Sequence, residues 1–444
     1  MGALLLTWPA LFNRYPLLYP DSVTYIADGS PVARALFLHQ FSDYYGVRSL
    51  IYSLGILPWH CYVTLWPVVA LNALLAAFVL WLVVRSTLPR HTVASYLVLL
   101  LLLSFLTSLS SFVSLIMPDI LGPLLYLGIY LLVFARDTLS RVERWALILI
   151  VWWAAASHAT HLILATGLCV LLAALLLLRR QSRPRLKAVG EVTIIILLAA
   201  CAQVALHAYL YGEPSLNGDR PPFLTARIIA DGPGRWYLEH HCPEAKFALC
   251  DYVRSLPTDS DEFIWGAGGI WESASEETGK RIREEEIPFV LATLRAYPRQ
   301  QILISAANFW HQLTAFDFAV DANDWMLKEF ATVLPRQHAR LLRSRQAQED
   351  LPFEFFLSVQ NWTVIASLAV IAGFAVRLCW HRPSRTVLLG GLGLVIVSAV
   401  IANAFVTGAL STVEDRYQSR VVWLIPLLAI VLLLDWSSQW KQVR

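Results

Sequence analysis

Residues 145–178 read WALILIVWWAAASHATHLILATGLCVLLAALLLL, 34 apolar or weakly polar positions whose only ionisable members besides Cys169 are His158 and His161. As one helix this run would measure about 51 Å at 1.5 Å per residue, against a bilayer hydrocarbon core of roughly 30 Å. Two shorter passes turning at Ser157-His158-Ala159-Thr160-His161, the one polar patch inside the run, fit that thickness. The same chemistry surrounds it. Apolar runs also cover 1–12, 63–84, 93–115, 120–134, 192–211, 355–378, 387–410 and 421–434. With the long run counted twice, the expectation is an all-α integral membrane protein of ten transmembrane helices.

Composition agrees with that class. Hydrophobic residues make up 57% of the 444 and charged residues 15%, where soluble domains carry roughly 45 to 50% and about 25%. The net charge of +3 is small, and the basic residues fall in short clusters between apolar runs, so no nucleic-acid partner is expected. Only 5 of the 35 basic residues are Lys, a bias that points to a GC-rich bacterial genome. The 1–12 run lacks a basic stretch ahead of it, and Asn13-Arg14-Tyr15-Pro16 does not resemble a small-residue cleavage site. It reads as a first membrane helix, extending towards Leu18 if it is to span.

Orientation follows from the basic loops. With the N-terminus inside, the cytoplasmic connections hold Arg85 and Arg90, then Arg136, Arg141 and Arg144, then Arg179, Arg180, Arg183, Arg185 and Lys187, then Arg377, Arg382 and Arg385, and finally Lys441 and Arg444. The outer face receives 18–62, the 114–119 corner, the 157–161 turn, 212–352 and 411–420. The expected division is a membrane part over 1–211 with passes one to seven and the first outer loop 18–62, a mostly helical extracytoplasmic domain over 212–352, and passes eight to ten over 353–444. Within the outer domain 281–306 is the most helix-like part. Cys242 and Cys250 are the only cysteines there, and an oxidising compartment predicts a disulfide between them, with two free thiols as the alternative. Cys61, Cys169, Cys201 and Cys379 read as small apolar fillers.

The span interiors are nearly free of ionisable groups, with Glu191 near an inner end and His207 near an outer end. An ion-coupled transporter needs carboxylates or histidines near mid-membrane. Here the polar residues crowd the outer rim. Asp21, in Leu18-Tyr19-Pro20-Asp21-Ser22-Val23-Thr24-Tyr25, is a candidate base for an attacking hydroxyl, or else a helix cap. Asp119, in Met117-Pro118-Asp119-Ile120, is a second catalytic candidate or a first-turn charge favoured by the macrodipole. His158 and His161, three apart, suit a phosphate oxygen, or hydrogen bonds at a tight turn. Glu414-Asp415-Arg416-Tyr417-Gln418-Ser419-Arg420 opens the last span, with Arg416 and Arg420 one turn apart and suited to a phosphate; surface ion pairs with Glu414 and Asp415 are the alternative. Gly390-Gly391-Leu392-Gly393 reads as a close-packing site inside a span.

The arrangement resembles the GT-C type glycosyltransferases, multi-spanning enzymes that take a sugar from a polyprenyl phosphate on the outer side of the membrane. The likeness rests on Tyr19-Pro20-Asp21-Ser22-Val23-Thr24-Tyr25 in the first outer loop, on Pro118-Asp119 leading into Leu124-Leu125-Tyr126-Leu127, and on Asp415-Arg416-Tyr417 followed by Leu424-Ile425-Pro426-Leu427. It is a likeness of layout across most of the spans. Many members carry an adjacent acidic pair in the first loop, whereas Ser22 follows Asp21 here.

The resemblance implies an inverting transfer at the periplasmic face of a bacterial inner membrane, from a polyprenyl-phosphate sugar to a lipid-linked or envelope glycan acceptor. Asp21 would be the base, with Asp119 as second acid. Tyr25, His158, His161, Glu414, Arg416 and Arg420 would line the substrate site, and a divalent metal ion is an open possibility. An O-antigen ligase or polymerase and a non-enzymatic flippase are the competing readings.

Overall fold

The 145–178 run breaks at its polar patch. In the computed structural model helix Arg141–Ala156 ends at Ser157 and helix Ala159–Leu178 starts two residues on. Ser140 and Glu143 cap the first helix reciprocally, and Ser157 Oγ donates to Trp153 O at 2.7 Å as it ends. His161 Nδ1–H then reaches back to Ala154 O at 2.8 Å, serving a carbonyl that the interrupted helix leaves without its own donor.

The structure describes residues 2–42, 45–46, 48–88, 92–178, 183–216, 220–380 and 386–443, with side chains at all of them except 377–380, 386 and 439–443. Of the basic residues that set the orientation, Arg90, Arg179, Arg180, Arg382, Arg385 and Arg444 lie outside the described residues, as do the side chains of Arg377 and Lys441.

The chain is all-helical, with no strand among the described residues. Among the described residues six helices are long and apolar enough to cross a membrane: Trp66–Thr87, Ala159–Leu178, Arg183–Tyr211, Phe353–Val376, Val387–Leu410 and Asp415–Ser438. The other four expected passes are shorter, each for a visible reason. The 1–12 run is two helices, Gly2–Leu6 and Trp8–Asn13, parted at Thr7 with a proline opening the second. The 93–115 run stops at Leu106 and resumes as Leu109–Ser114. There the Thr107 hydroxyl donates to Leu103 O at 2.6 Å and accepts from Leu109 N–H at 3.3 Å, competing with the helical ladder. The 120–134 run begins as a 3-10 turn, Pro118–Ile120, and continues as Leu121–Phe134. That helix is apolar all round and buried along nearly its whole length, as the centre of a helical core requires. Arg141–Ala156 is the fourth, at 16 residues.

Two compact units emerge. The first comprises Met1–Gly218, Asp317–Val400 and Ser419–Arg444, and the second Asp219–Phe316 with Ile401–Gln418. The 317–352 part of the expected outer domain therefore clusters with the membrane helices: Gln346 ties it to Leu18 and Tyr15 packs edge-on to Phe330. In the first unit Arg85 grips Glu143 with two bonds of 2.6 and 2.8 Å, and Arg136 pairs with Glu191.

The second unit has its own apolar core, with Ile229, Leu238, Phe263, Ile282 and Phe289 at its centre. The 281–306 stretch forms parts of three helices, Glu276–Glu284, Glu286–Ala296 and Pro298–Thr314, the last opened by a proline. Glu286 is buried against the start of helix Phe223–Ala230, accepting from Leu224 N–H at 2.9 Å while paired with Arg220 at 2.7 Å. Cys242 closes helix Pro233–His241 and is bonded to Cys250 in the turn Ala248–Ser255.

Candidate functional site

Backbone bonds join the chain at Leu17 to the 114–119 corner. Leu17 N–H donates to Ser114 O at 2.9 Å, and Ile116 N–H donates to Leu17 O at 3.0 Å, a one-residue parallel bridge between Leu17 and Leu115. Asn72, buried in helix Trp66–Thr87, holds that corner by donating to Val113 O and Leu115 O, both at 3.3 Å. Gln346 serves both backbone groups of Leu18. Asp21 and Asp119 each follow a bridged leucine by four residues, so one seam places both acids.

Asp119 sits in the turn Pro118–Ile120, nearly fully buried, and Arg420 Nη1 lies 3.5 Å from its Oδ1. The guanidinium is just as dry, with 4% of its side chain exposed. His161 lies within the field of both charges. Its Nε2 is buried without a hydrogen-bond partner and packs on Gly122, where a Cβ would come within 3.0 Å of it. A glycine at 122 is what lets the imidazole reach this position. Tyr52, from helix Leu50–His60, packs beside them: its ring meets Tyr25 edge-on at 5.0 Å and stacks on Trp153 at 6.1 Å. Burial pushes the Tyr52 hydroxyl well above its usual range, and Tyr25 and Asp119 add to the shift. Tyr126 lies within the field of Arg420.

Removing a carboxylate and a guanidinium from water costs several kcal/mol per ion, and their attraction often fails to repay it, so stability alone is a weak reason for so dry a pair. A buried charge pair beside an imidazole with an open nitrogen and several phenols is the kind of arrangement found where chemistry is done.

Asp21 lies one helical turn before Tyr25 in helix Pro20–Leu38 and is more exposed than Asp119 or Arg420. Its carboxylate is 2.6 Å from Arg48, with 16% of the Asp21 side chain exposed. Capping of helix Pro20–Leu38 falls to Ser22, whose hydroxyl accepts from Tyr19 N–H at 2.9 Å, which leaves the Asp21 carboxylate to Arg48. Tyr25, one turn further on, carries the connection to Tyr52.

The remaining expected residues divide. His158 Nδ1 accepts from Thr160 N–H at 3.2 Å, so part of its role is to close the turn, and its ring is 5.4 Å from that of His161. Glu414 and Arg416 belong to the second unit. Burial raises the Glu414 carboxyl, against the pull of Arg416. The Arg416 guanidinium lies 5.1 Å from the centre of the Tyr417 ring.

Sequence reading passed over three residues. Arg48 and Tyr52 had no local signal, since their partners are remote in sequence. Asp28 had one: with Asp21 and Tyr25 it forms an i, i+4, i+7 row on one helix face. Its carboxyl is buried, its Oδ2 lacks a hydrogen-bond partner, and burial raises it to about 6 against the pull of a Gly46 N–H. Among the described residues no three of His, Cys, Asp and Glu gather as a metal site.

Comparisons with protein-family models, with curated proteins and with solved structures return no match to this chain.

Proposed function

We propose that this chain is a membrane glycosyltransferase of GT-C layout, with ten passes and its site at the periplasmic face of a bacterial inner membrane. It moves a sugar from a polyprenyl phosphate to a lipid-linked or envelope glycan acceptor. The observation that carries the reading is the convergence of four segments, all assigned by the basic loops to one side of the bilayer. Tyr25 and Tyr52, Asp119, His161 and Arg420 come from the first loop, the 114–119 corner, the 157–161 turn and the end of 411–420, and they gather in one buried cluster.

The transfer runs as a single displacement. The acceptor hydroxyl oxygen forms the new bond to the anomeric carbon while the bond from that carbon to the phosphate oxygen breaks. The electron pair leaves with polyprenyl phosphate, and the hydroxyl proton passes to the Asp21 carboxylate, which Arg48 holds in place. Arg420, oriented by Asp119, faces the negative charge that grows on the leaving phosphate, where a preorganised donor counts most. His161 Nε2 accepts a hydrogen bond from a sugar hydroxyl. Arg416 is left out of this assignment, because it belongs to the second unit.

Purified protein in liposomes, given a sugar-labelled polyprenyl phosphate and a membrane glycolipid extract as acceptor, is expected to release polyprenyl phosphate and transfer the label. Asp21→Asn should slow turnover by a factor of about 10² to 10⁴. Arg420→Lys keeps the charge but loses the planar fork, and should weaken donor binding as well as turnover. Label that crosses the bilayer still joined to its lipid would identify a flippase and overturn the proposal.

A further inference from the structure

Helix Pro298–Thr314 in the second unit is built inside out for a helix facing water. Its polar side chains point inward: Gln301 Nε2 donates to Asp231 Oδ2 at 2.7 Å, Asn308 Nδ2 donates to Asp231 Oδ1 at 2.9 Å, and Gln312 Nε2 donates to Glu414 O at 2.8 Å. Its large apolar side chains point outward, with Ile302, Leu303 and Trp310 exposed by 67%, 60% and 65%. Leu303, Ala306 and Trp310 share one face at i, i+3 and i+7, and no ionisable residue lies between Arg299 and His311. An aqueous surface favours the reverse arrangement.

The helix also lies against an apolar helix long enough to cross a membrane. Gly408 of helix Thr386–Leu410 sits so close that a Cβ there would be 2.7 Å from Asn308 O, and the Phe309 and Phe405 rings are 6.4 Å apart. In that same unit Ile401 and Phe405 present exposed apolar side chains, so the outward face of helix Pro298–Thr314 continues the apolar surface of the span. We infer that helix Pro298–Thr314 is embedded in the outer leaflet, its occupied partner being the acyl chains of bilayer lipid. The second unit is then anchored in the membrane through Ile302, Leu303 and Trp310. This rests on the membrane reading alone and stands whether or not the chain transfers sugars.

The test is nitroxide accessibility in the full chain, with the four cysteines outside the disulfide replaced by Ala and single labels at Leu303→Cys, Phe405→Cys and Glu239→Cys. In phospholipid liposomes the ratio of oxygen to polar nickel-chelate accessibility at 303 should match that at 405. It should exceed the value at exposed Glu239 by roughly tenfold, as transfer from water to hydrocarbon demands of an apolar and a polar solute. A ratio at 303 equal to that at 239 would place the helix in water, and shielding from both reagents would mean a protein partner; either overturns the inference. The unsubstituted protein supplies a second readout. A carbene-generating probe confined to the acyl region should label the peptide carrying 300–310, and absence of label there, with label present on 401–410, would overturn it equally.

Discussion

Asp28 carries a charge that the fold resists. Burial lifts its carboxyl to about 6 from an ordinary 3.8, so the folded state holds its proton to higher pH than the unfolded chain does. Below about pH 4 both states are protonated and the native state has its full stability. As pH rises through the window between the two values the unfolded chain ionises first, and stability falls until about pH 6. The loss amounts to about 3 kcal/mol, at roughly 1.4 kcal/mol for each unit of difference. Asp28→Asn should therefore remove a pH dependence: Tm in detergent should be similar to the parent near pH 4 and higher than the parent near pH 8. Equal Tm values for the two proteins at pH 8 would show that Asp28 ionises without cost. The Asp119 and Arg420 pair differs, because each charge has its counter-charge and the cost lies in losing either partner alone.

At the scale of elements, the second unit depends on a short covalent loop. Cys242 ends helix Pro233–His241, Cys250 lies in the Ala248–Ser255 turn, and both pack against the core that holds Leu238 and Phe289. Closing a loop of this size restricts the unfolded chain by about 2 to 3 kcal/mol. Replacing both cysteines with Ser should lower the unfolding free energy of this unit by that amount, read by hydrogen exchange on its core amides, with the membrane helices unchanged. Full alkylation of both thiols in the unreduced native protein would show that no bond forms. The broken membrane runs belong to this scale as well. Hydroxyls at Thr107 and Ser157 and prolines at Pro9 and Pro118 divide apolar sequence into helices too short to cross alone.

For the whole molecule the expected outcome is a ten-pass topology with both termini inside. Among the described residues six helices meet the length and hydropathy that a crossing needs. The alternation of basic loops supplies the remainder, and it depends on Arg141–Ala156 and Ala159–Leu178 being separate passes. Reporter fusions after Arg144 and after Arg183, which flank that pair, should both report the inner side of the membrane. Opposite sides would remove a pass from that pair and reverse the orientation of everything that follows.

Much of this was written locally. Helical class, the break at 157–158 and the apolar run lengths follow from hydropathy against a fixed bilayer thickness, which any stretch of chain reveals by itself. The candidacy of Asp21, Asp119, His161 and Arg420 also came from the sequence, through their place at the ends of apolar runs that the basic loops assign to the outer side. What sequence could not assign was partnership. That Asp21 meets Arg48, that Asp119 meets Arg420, and that Arg420 clusters with the first unit while Arg416, one turn before it on the same helix, clusters with the second depend on contacts between residues far apart in the chain. The reversed faces of helix Pro298–Thr314 are likewise invisible in its composition, since a helix's polar side is known only once its neighbours are in place. Hydropathy is a sum over local sequence, whereas pairing is set by packing, and only the tertiary structure decided it.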